Sequence, residues 1–194
     1  MRSIVRNPDH TDEVSATGAR PVVADLESTT AEVLAGQLTG ADAVVFAAGA
    51  GPGSTAERKE SVDRAGAVLL ADAAALAAIR RYLLVSSTGV DSEPDPERGA
   101  VWVAYIRAKK AAEEAIRGDD RLDATILRPG RLTDDPGTGS VLLAPPPVTH
   151  SDVTRDDTAA VLATLLSADH TIGSTLELRA GDVPVAGAVA ALQG

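Results

Sequence analysis

The sequence has no cysteine, which excludes disulfides, thiolate metal sites and thiol catalysis. Aromatic residues make up only 2% of the chain, so a core must be assembled from aliphatic side chains and alanine. Long apolar runs are missing too. A membrane-spanning helix needs about 18 such residues in a row, and the most apolar stretch, residues 65–79, is interrupted by Asp72 and reads as a buried helix. The opening Met1-Arg2-Ser3-Ile4 lacks the apolar segment of a secretion signal, and a soluble cytoplasmic protein is the expectation. Positive charge is outnumbered: 18 Lys and Arg stand against 28 Asp and Glu, a net charge of −10. With no basic cluster to offset it, nucleic acid and anionic membrane surfaces are not expected as partners. No Gly-x-Ser-x-Gly elbow supports Ser/His/Asp hydrolysis. His10, His150 and His170 have no acidic partner at ligand spacing, so no metal site is expected.

What is present alternates between short apolar runs and helical patterns. At 194 residues the chain is long enough for one domain, 1–194, with a sizeable core. Ser3–Val5 reads as a strand followed by the turn signal Arg6-Asn7-Pro8, and Asp9–Ala16 as a short helix ended by Gly18. Val22–Ala24 is a strand closing on Asp25-Leu26, and Ser28 or Thr29 can cap a helix reaching Leu38. Ala43–Ala47 is a buried strand. A long helix over 56–79 carries Val62, Leu69, Leu76 and Ile79 at helical spacing. Residues 132–147 read as a looser region whose three consecutive prolines exclude regular structure. Ser151-Asp152 then caps a helix through Leu166, Thr175–Leu178 gives a last strand, and Val185–Leu192 a small terminal helix. Strands alternating with helices imply a parallel sheet covered on both faces.

The centre of the argument is residues 81–131. Tyr82–Val85 is a short buried strand ending in the polar Ser86-Ser87-Thr88-Gly89. A helix over Val101–Arg117, closed by Gly118, places Tyr105 and Lys109 on one face, one turn apart. Thr125–Leu127 is a second buried strand, stopped by Arg128-Pro129-Gly130. These pieces can converge on a crevice outside the carboxyl ends of parallel strands, where open α/β sheets bind ligands. A free phenol has a pKa near 10, so Tyr105 acts near neutral pH only if a neighbour favours its anion; Lys109 would supply that charge.

Ser-Ser at a strand end, Tyr105-x-x-x-Lys109, then Arg128-Pro129-Gly130, in that order, resemble the short-chain dehydrogenase/reductase superfamily. The likeness is to its atypical, extended-like branch of NAD(P)H-binding oxidoreductases and sugar-epimerase-like proteins, and it runs from Val5 to about Asp182. The resemblance implies a Rossmann-like fold and hydride transfer with a small carbonyl or alcohol. It implies Tyr105 as general acid/base, Lys109 also bonding the nicotinamide ribose, and Ser87 orienting the substrate oxygen, with Ser86 the other hydroxyl of the pair. NADP is the implied cofactor, with NAD possible: Arg6 stands where the family selects the 2′-phosphate, although a solvated surface Arg explains it equally. Asp25-Leu26 matches a step against the adenine, with a helix cap as the competing explanation. Ala47, Ala48 and Gly49 match the small-residue strand end that lets cofactor approach the backbone. Arg128, Pro129 and Gly130 would border the nicotinamide, or form an ordinary turn. The implied alternatives are an NADP(H)-binding regulator or redox sensor without turnover, and a sugar-epimerase-like isomerase.

One departure from the family is large. Its first strand, Gly-rich loop and helix, which seat the pyrophosphate, have no counterpart here; Gly49-x-Gly51-x-Gly53 follows a later strand. By resemblance the absent strand belongs between Ser3–Val5 and Ala43–Ala47, and its loss would unpair two strand edges. The preferred expectation is a native protein about 20–30 residues longer, the size of that missing portion of a βαβ unit. The competing one is a short form with a gap in its sheet, a rearranged edge or a partner strand.

Overall fold

The computed structural model describes residues 1–149 and 151–193; His150, one of the three histidines, lies outside them. In chain order the first elements are β1 (Arg2–Val5), α1 (Thr11–Ala16), β2 (Arg20–Val23), α2 (Ala31–Leu38) and β3 (Ala43–Phe46). There follow α3 (Ala56–Arg58), a π-helix (Lys59–Ala65), α4 (Gly66–Leu76), β4 (Arg81–Val85), α5 (Ala100–Arg117) and β5 (Asp123–Pro129). The last part holds β6 (Leu132–Thr133), β7 (Ser140–Ala144), β8 (Val153–Thr154), α6 (Arg155–Leu165), β9 (Thr175–Ala180), β10 (Val183–Pro184) and α7 (Val185–Ala190).

Helix starts follow the capping rule, at residues other than those expected. Thr30 Oγ1 accepts from the Val33 amide at 3.4 Å, and Thr154 Oγ1 from the Asp157 amide at 2.9 Å. Ser28 and Thr29 instead close a turn with their amides on the Asp25 carbonyl. Ser151-Asp152 does not cap either, because Asp152 is salt-bridged to Arg131 and its carbonyl accepts from Ala180. The expected helix over 56–79 is three joined pieces, α3, the π-helix and α4, and it ends at Leu76.

Among the described residues the main sheet has six strands in the order β10-β7-β9-β5-β4-β3. β3, β4, β5 and β9 are parallel, and β7 runs antiparallel between β9 and β10. β7 corrects the expectation of an irregular 132–147: Val141 to Ala144 pair with Ala180 back to Glu177. The prolines at 145–147 end that strand and do not prevent it, since proline removes a donor only where it stands. Its alternation is five residues long, with Val141 and Leu143 buried, a signal that the neighbouring Gly and Pro obscure. β5 is likewise longer than expected and carries Arg128 and Pro129 as its last residues.

Period-two alternation splits the core. On one face Val44, Phe46, Tyr82, Leu84 and Ile126 pack with Leu34 of α2, Leu70 and Ala74 of α4 and Ile116 of α5. On the other, Leu83, Leu127, Leu143, Leu176 and Leu178 pack with Val161 and Leu165 of α6 and Val189 of α7. The result is a mostly parallel α/β sheet with helices on both faces. No helix of the described residues is long and apolar enough to cross a membrane.

The sheet is interrupted at one place. β1 and β2 form a separate parallel pair, and no described strand joins β1 to β3. Both parts rest on one helix layer: Ile4, Ala24 and Leu26 pack on the core of α2 and α4. A Cβ on Gly66 would lie 3.3 Å from Leu26 and 3.6 Å from Phe46. Leu34, fully buried on α2, is central to that shared layer. Leu34→Ala is expected to cost about 2–5 kcal/mol in urea unfolding, while Val33→Ala on the exposed face stays within about 0.5 kcal/mol.

Candidate functional site

The site begins where β4 runs out. Ser86 continues the strand's pairing, its amide donating to the Leu127 carbonyl at 2.8 Å. Gly89, at φ +86°, then turns the chain away, a conformation glycine adopts without strain. The Ser86 hydroxyl is buried, with no hydrogen-bond partner among the described residues. The Ser87 hydroxyl donates to the Thr88 carbonyl at 3.2 Å and lies close enough to the Tyr105 phenol to favour its anion, so two of the expected residues meet.

On α5 the i, i+4 spacing aligns Tyr105, Lys109 and Glu113 on the face turned to the sheet. Lys109 is 5% exposed and its ammonium donates to the Val85 carbonyl at 3.1 Å. Its charge partner is Asp63 of the π-helix, 3.5 Å away and equally buried. The other oxygen of Asp63 accepts from the Ala50 amide at 3.0 Å. Lys59, also on the π-helix, donates to the Gly51 carbonyl at 3.0 Å and lies 5.1 Å from the Tyr105 ring centre. The loop after β3 is therefore held at both polarities, at Ala50 by a carboxylate and at Gly51 by an ammonium. A side chain at Gly49 would strike Asp63 at 2.9 Å. Trp102 flanks the cluster, with ring centres 5.5 Å from Tyr105 and the Arg98 guanidinium stacked on its outer face at 3.5 Å.

The electrostatics reverse one expectation. The Tyr105 phenol stands above its ordinary value because it is buried; the nearby Ser87 hydroxyl pulls it back only in part, and the Asp63 charge pushes it further up. Lys109 does not lower it, because its ammonium is turned to Asp63 and the Val85 carbonyl. Lys109 itself is pushed down by burial, against the attraction of Asp63 and with the repulsion of Lys59.

The remaining candidates fall in three places. Ala47, Ala48 and Gly49 lie exposed at the end of β3, beside the cluster. Arg6, Asp25 and Leu26 lie beyond the interruption, at the ends of β1 and β2. Arg6 is exposed and faces Glu27 at 3.7 Å, a carboxylate shared with Arg58 at 2.7 Å. Asp25 closes the local turn with its side chain on the Glu27 amide, and Leu26 is packed into the core. Arg128 is taken up elsewhere: it grips Glu113 with two bonds of 2.7 and 2.8 Å and Asp91 with two of 2.5 and 2.9 Å. Burial works against its charge, and these bonds outweigh that and raise its pKa. Pro129 accepts from Thr88, and Gly130 passes so close to Ser151 that a Cβ would sit 1.8 Å from its carbonyl oxygen.

Sequence reasoning missed Asp63 and Lys59. The available signal was a pair of opposite charges four apart on an otherwise buried helix. What it could not reveal is the π-helix, whose i→i+5 bonding, seen from Gly66 to Ser61, turns them toward the loop.

A nicotinamide dinucleotide can be matched against these residues. Ser86, with its unpartnered hydroxyl, Ser87, Tyr105 and Lys109 suit the nicotinamide ribose end, and Arg6 with Asp25 suits the adenosine end. The pyrophosphate has no seat among the described residues. It needs free amides at a helix start, whereas the Ala50 amide is given to Asp63 and the next helix, α3, is three residues long. Among the described residues no group of His, Asp and Glu could hold a metal ion.

Comparison with known proteins is consistent with this geometry. The family model described as NAD(P)H-binding matches residues 1–169. An uncharacterised sugar epimerase of Bacillus subtilis, YhfK, is 32% identical over 189 residues, covering 97% of this chain and 86% of the relative. A structure from Bacillus halodurans, provisionally named an NAD-dependent epimerase/dehydratase, superposes with a TM-score of 0.87 at 36% identity over 98% of this chain and 86% of that one. The oxidoreductase ylbE from Lactococcus lactis gives a TM-score of 0.82 at 28% identity, over 98% and 84%. The fold is Rossmann-like.

Only two tyrosines are present, and Tyr82 is fully enclosed with its phenol raised by burial. Tyrosinate absorbance should therefore rise only at higher pH than that of a free phenol. The first phenol to titrate is expected to be Tyr105, absent in Tyr105→Phe and shifted to lower pH in Asp63→Asn. A first titration in Tyr105→Phe identical to that of the unmodified protein would refute the assignment.

Proposed function

Because this chain belongs to the NAD(P)H-binding family, we propose that it is an NADP-preferring oxidoreductase of the short-chain dehydrogenase/reductase type, acting in the cytoplasm on a small carbonyl or alcohol. The observation that carries the reading is the placing of Ser87, at the end of β4, close to the Tyr105 phenol and beside the buried Lys109. Two hydroxyls placed this near each other can share a third oxygen, that of a substrate carbonyl.

The raised phenol assigns a direction. Tyr105 is protonated at neutral pH and suits proton donation, so carbonyl reduction is the favoured sense, with Tyr105 giving its proton to the substrate oxygen. Ser87 holds that oxygen as a donor. The Lys59 and Lys109 ammonium groups lie 5.1 and 5.9 Å from the Tyr105 ring centre. The bound dinucleotide would supply the hydride. NADP preference rests on Arg6 and Arg58, two guanidiniums around the single carboxylate of Glu27, a net positive pair suited to a phosphate. The relative named as a sugar epimerase favours a second reading, an isomerase with tightly held cofactor.

Calorimetric titration with NADPH and NADH tests the cofactor, and carbonyl-dependent NADPH oxidation tests the reaction. Tyr105→Phe is expected to lower the rate by roughly 10²–10⁴-fold with cofactor affinity unchanged. Arg6→Ala should weaken NADPH by about tenfold and leave NADH alone. Sugar isomerisation without net NADPH oxidation would move the reading to the epimerase class.

A further inference from the structure

The few aromatic rings of the chain are spent unevenly. Of one Phe, one Trp and two Tyr, Phe46 and Tyr82 are enclosed in the core. The other two, Trp102 and Tyr105, stand together at the site, with ring centres 5.5 Å apart. Trp102 is half-buried and belongs to neither core cluster of the described residues. In a protein whose core is aliphatic, an indole left partly open beside the Tyr105 phenol offers apolar surface to a ligand.

The backbone before α5 lays Arg98 on that indole. Asp95 Oδ1 accepts from the Glu97 amide at 2.9 Å and starts a single 3-10 turn, Pro96–Arg98. Gly99, at φ +92°, then turns the chain into α5. Arg98 is exposed, and its guanidinium lies 3.5 Å from the centre of the Trp102 ring. A guanidinium stacked on a ring keeps the N–H donors at its rim free for a further partner. Most arginines of this acidic chain are answered by carboxylates, Arg58, Arg121, Arg128 and Arg131 among them. Among the described residues Arg98 forms no salt bridge, and the first turn of α5 holds no acidic residue to answer it. On the inner side of the aromatic pair stands a second such cation: the Lys59 ammonium is bonded to the Gly51 carbonyl and lies 5.1 Å from the Tyr105 ring centre. A cation without a carboxylate thus stands at each end of the Trp102–Tyr105 pair.

We infer that Arg98, Trp102 and Tyr105 form the substrate subsite, and that the substrate is a small aromatic carbonyl compound carrying a carboxylate. The Arg98 fork takes the carboxylate through two parallel N–H donors, a match that planar guanidinium and carboxylate share. The Trp102 indole borders the flat body, and the carbonyl oxygen falls to Tyr105 and Ser87. The acid group takes no part in the reaction at the carbonyl; it fixes which end of the molecule enters the crevice. The carbonyl end rests on the reductase reading above; the carboxylate seat does not.

The test compares para-carboxybenzaldehyde with its methyl ester, which keeps the flat body and loses the charge. In NADPH oxidation, kcat/KM for the acid is expected to exceed that for the ester by roughly tenfold or more, the effect of one charge-assisted hydrogen bond. Arg98→Gln should lower that ratio about tenfold through KM, and Arg98→Lys should restore part of it. Arg20→Gln, the same loss of charge on exposed β2, should leave the ratio as it is. Because Trp102 is the only tryptophan, binding can also be read without turnover. The acid para-(hydroxymethyl)benzoate should quench its fluorescence saturably and more tightly than benzyl alcohol, and Arg98→Gln should weaken this binding about tenfold. That quenching pattern with no NADPH oxidation by either aldehyde supports the subsite and overturns the reductase reading. Equal turnover of acid and ester, or no quenching that depends on Arg98, overturns the subsite. A fall in NADPH affinity in Arg98→Gln assigns the guanidinium to the cofactor and overturns the subsite as well.

Discussion

A parallel strand that is apolar on both sides must be covered on both sides, and Tyr82-Leu83-Leu84 imposes that condition at the middle of the molecule. All three are essentially inaccessible to solvent. Tyr82 and Leu84 demand one helix layer and Leu83 the other. The Tyr82 hydroxyl, unable to reach water, donates to the Ala67 carbonyl at 2.9 Å, which pins α4 at a fixed height over the sheet. Because α4 continues directly from the π-helix, the same anchor fixes Asp63 and Lys59 opposite the carboxyl end of β4. The position of the site is a consequence of how the central strand is buried.

Charge inside this aliphatic protein is tolerated only where it is answered. Arg81, at the start of β4, gives its guanidinium to the Leu165 carbonyl at the end of α6 and to Asp123 and Thr125 of β5. The Leu165 carbonyl stands in the last turn of α6, where the intrahelical ladder runs out, and it also accepts from the Ala168 amide at 3.1 Å. At the opposite end of the sheet Arg128 draws together β5, α5 and the Asp91 loop. Lys109 and Asp63 form a further buried pair. Each buried charge joins elements distant in sequence, so removing one partner would strand the other in a low-dielectric interior. These contacts make the crevice rigid at its base and leave its mouth, the strand ends at 47–49 and 86–88, without comparable ties.

Much of the plan was legible because it depends on local pattern. Short strand patterns at Ser3–Val5, Ala43–Ala47 and Tyr82–Val85 pointed to β1, β3 and β4, and the spacing of Tyr105 and Lys109 put both on one face of α5. The break beside β1 followed from motifs that have no counterpart in the chain. Other features depend on partners far away in sequence. Arg128 looks like a turn residue until Glu113 and Asp91 are brought to it. Lys109 looks like a neighbour for Tyr105 until a π-helix presents Asp63. β7 is a strand because β9 lies beside it, and its own five residues, set among Gly and Pro, carry little of that information.

The acidic balance of the chain acquires a second meaning beside the open strands. An uncovered apolar edge such as Ala43–Phe46 invites copies of the protein to stack edge to edge, the route by which unprotected sheets aggregate. No charged side chain within that strand prevents it. A net charge of −10 acts at longer range, since like-charged molecules repel before their edges can meet. This protection is screened by salt, with a Debye length near 10 Å at 0.1 M. Colloidal stability is thus delegated from the strand to the whole surface, and it weakens as ionic strength rises or as pH falls toward the isoelectric point near 4.7.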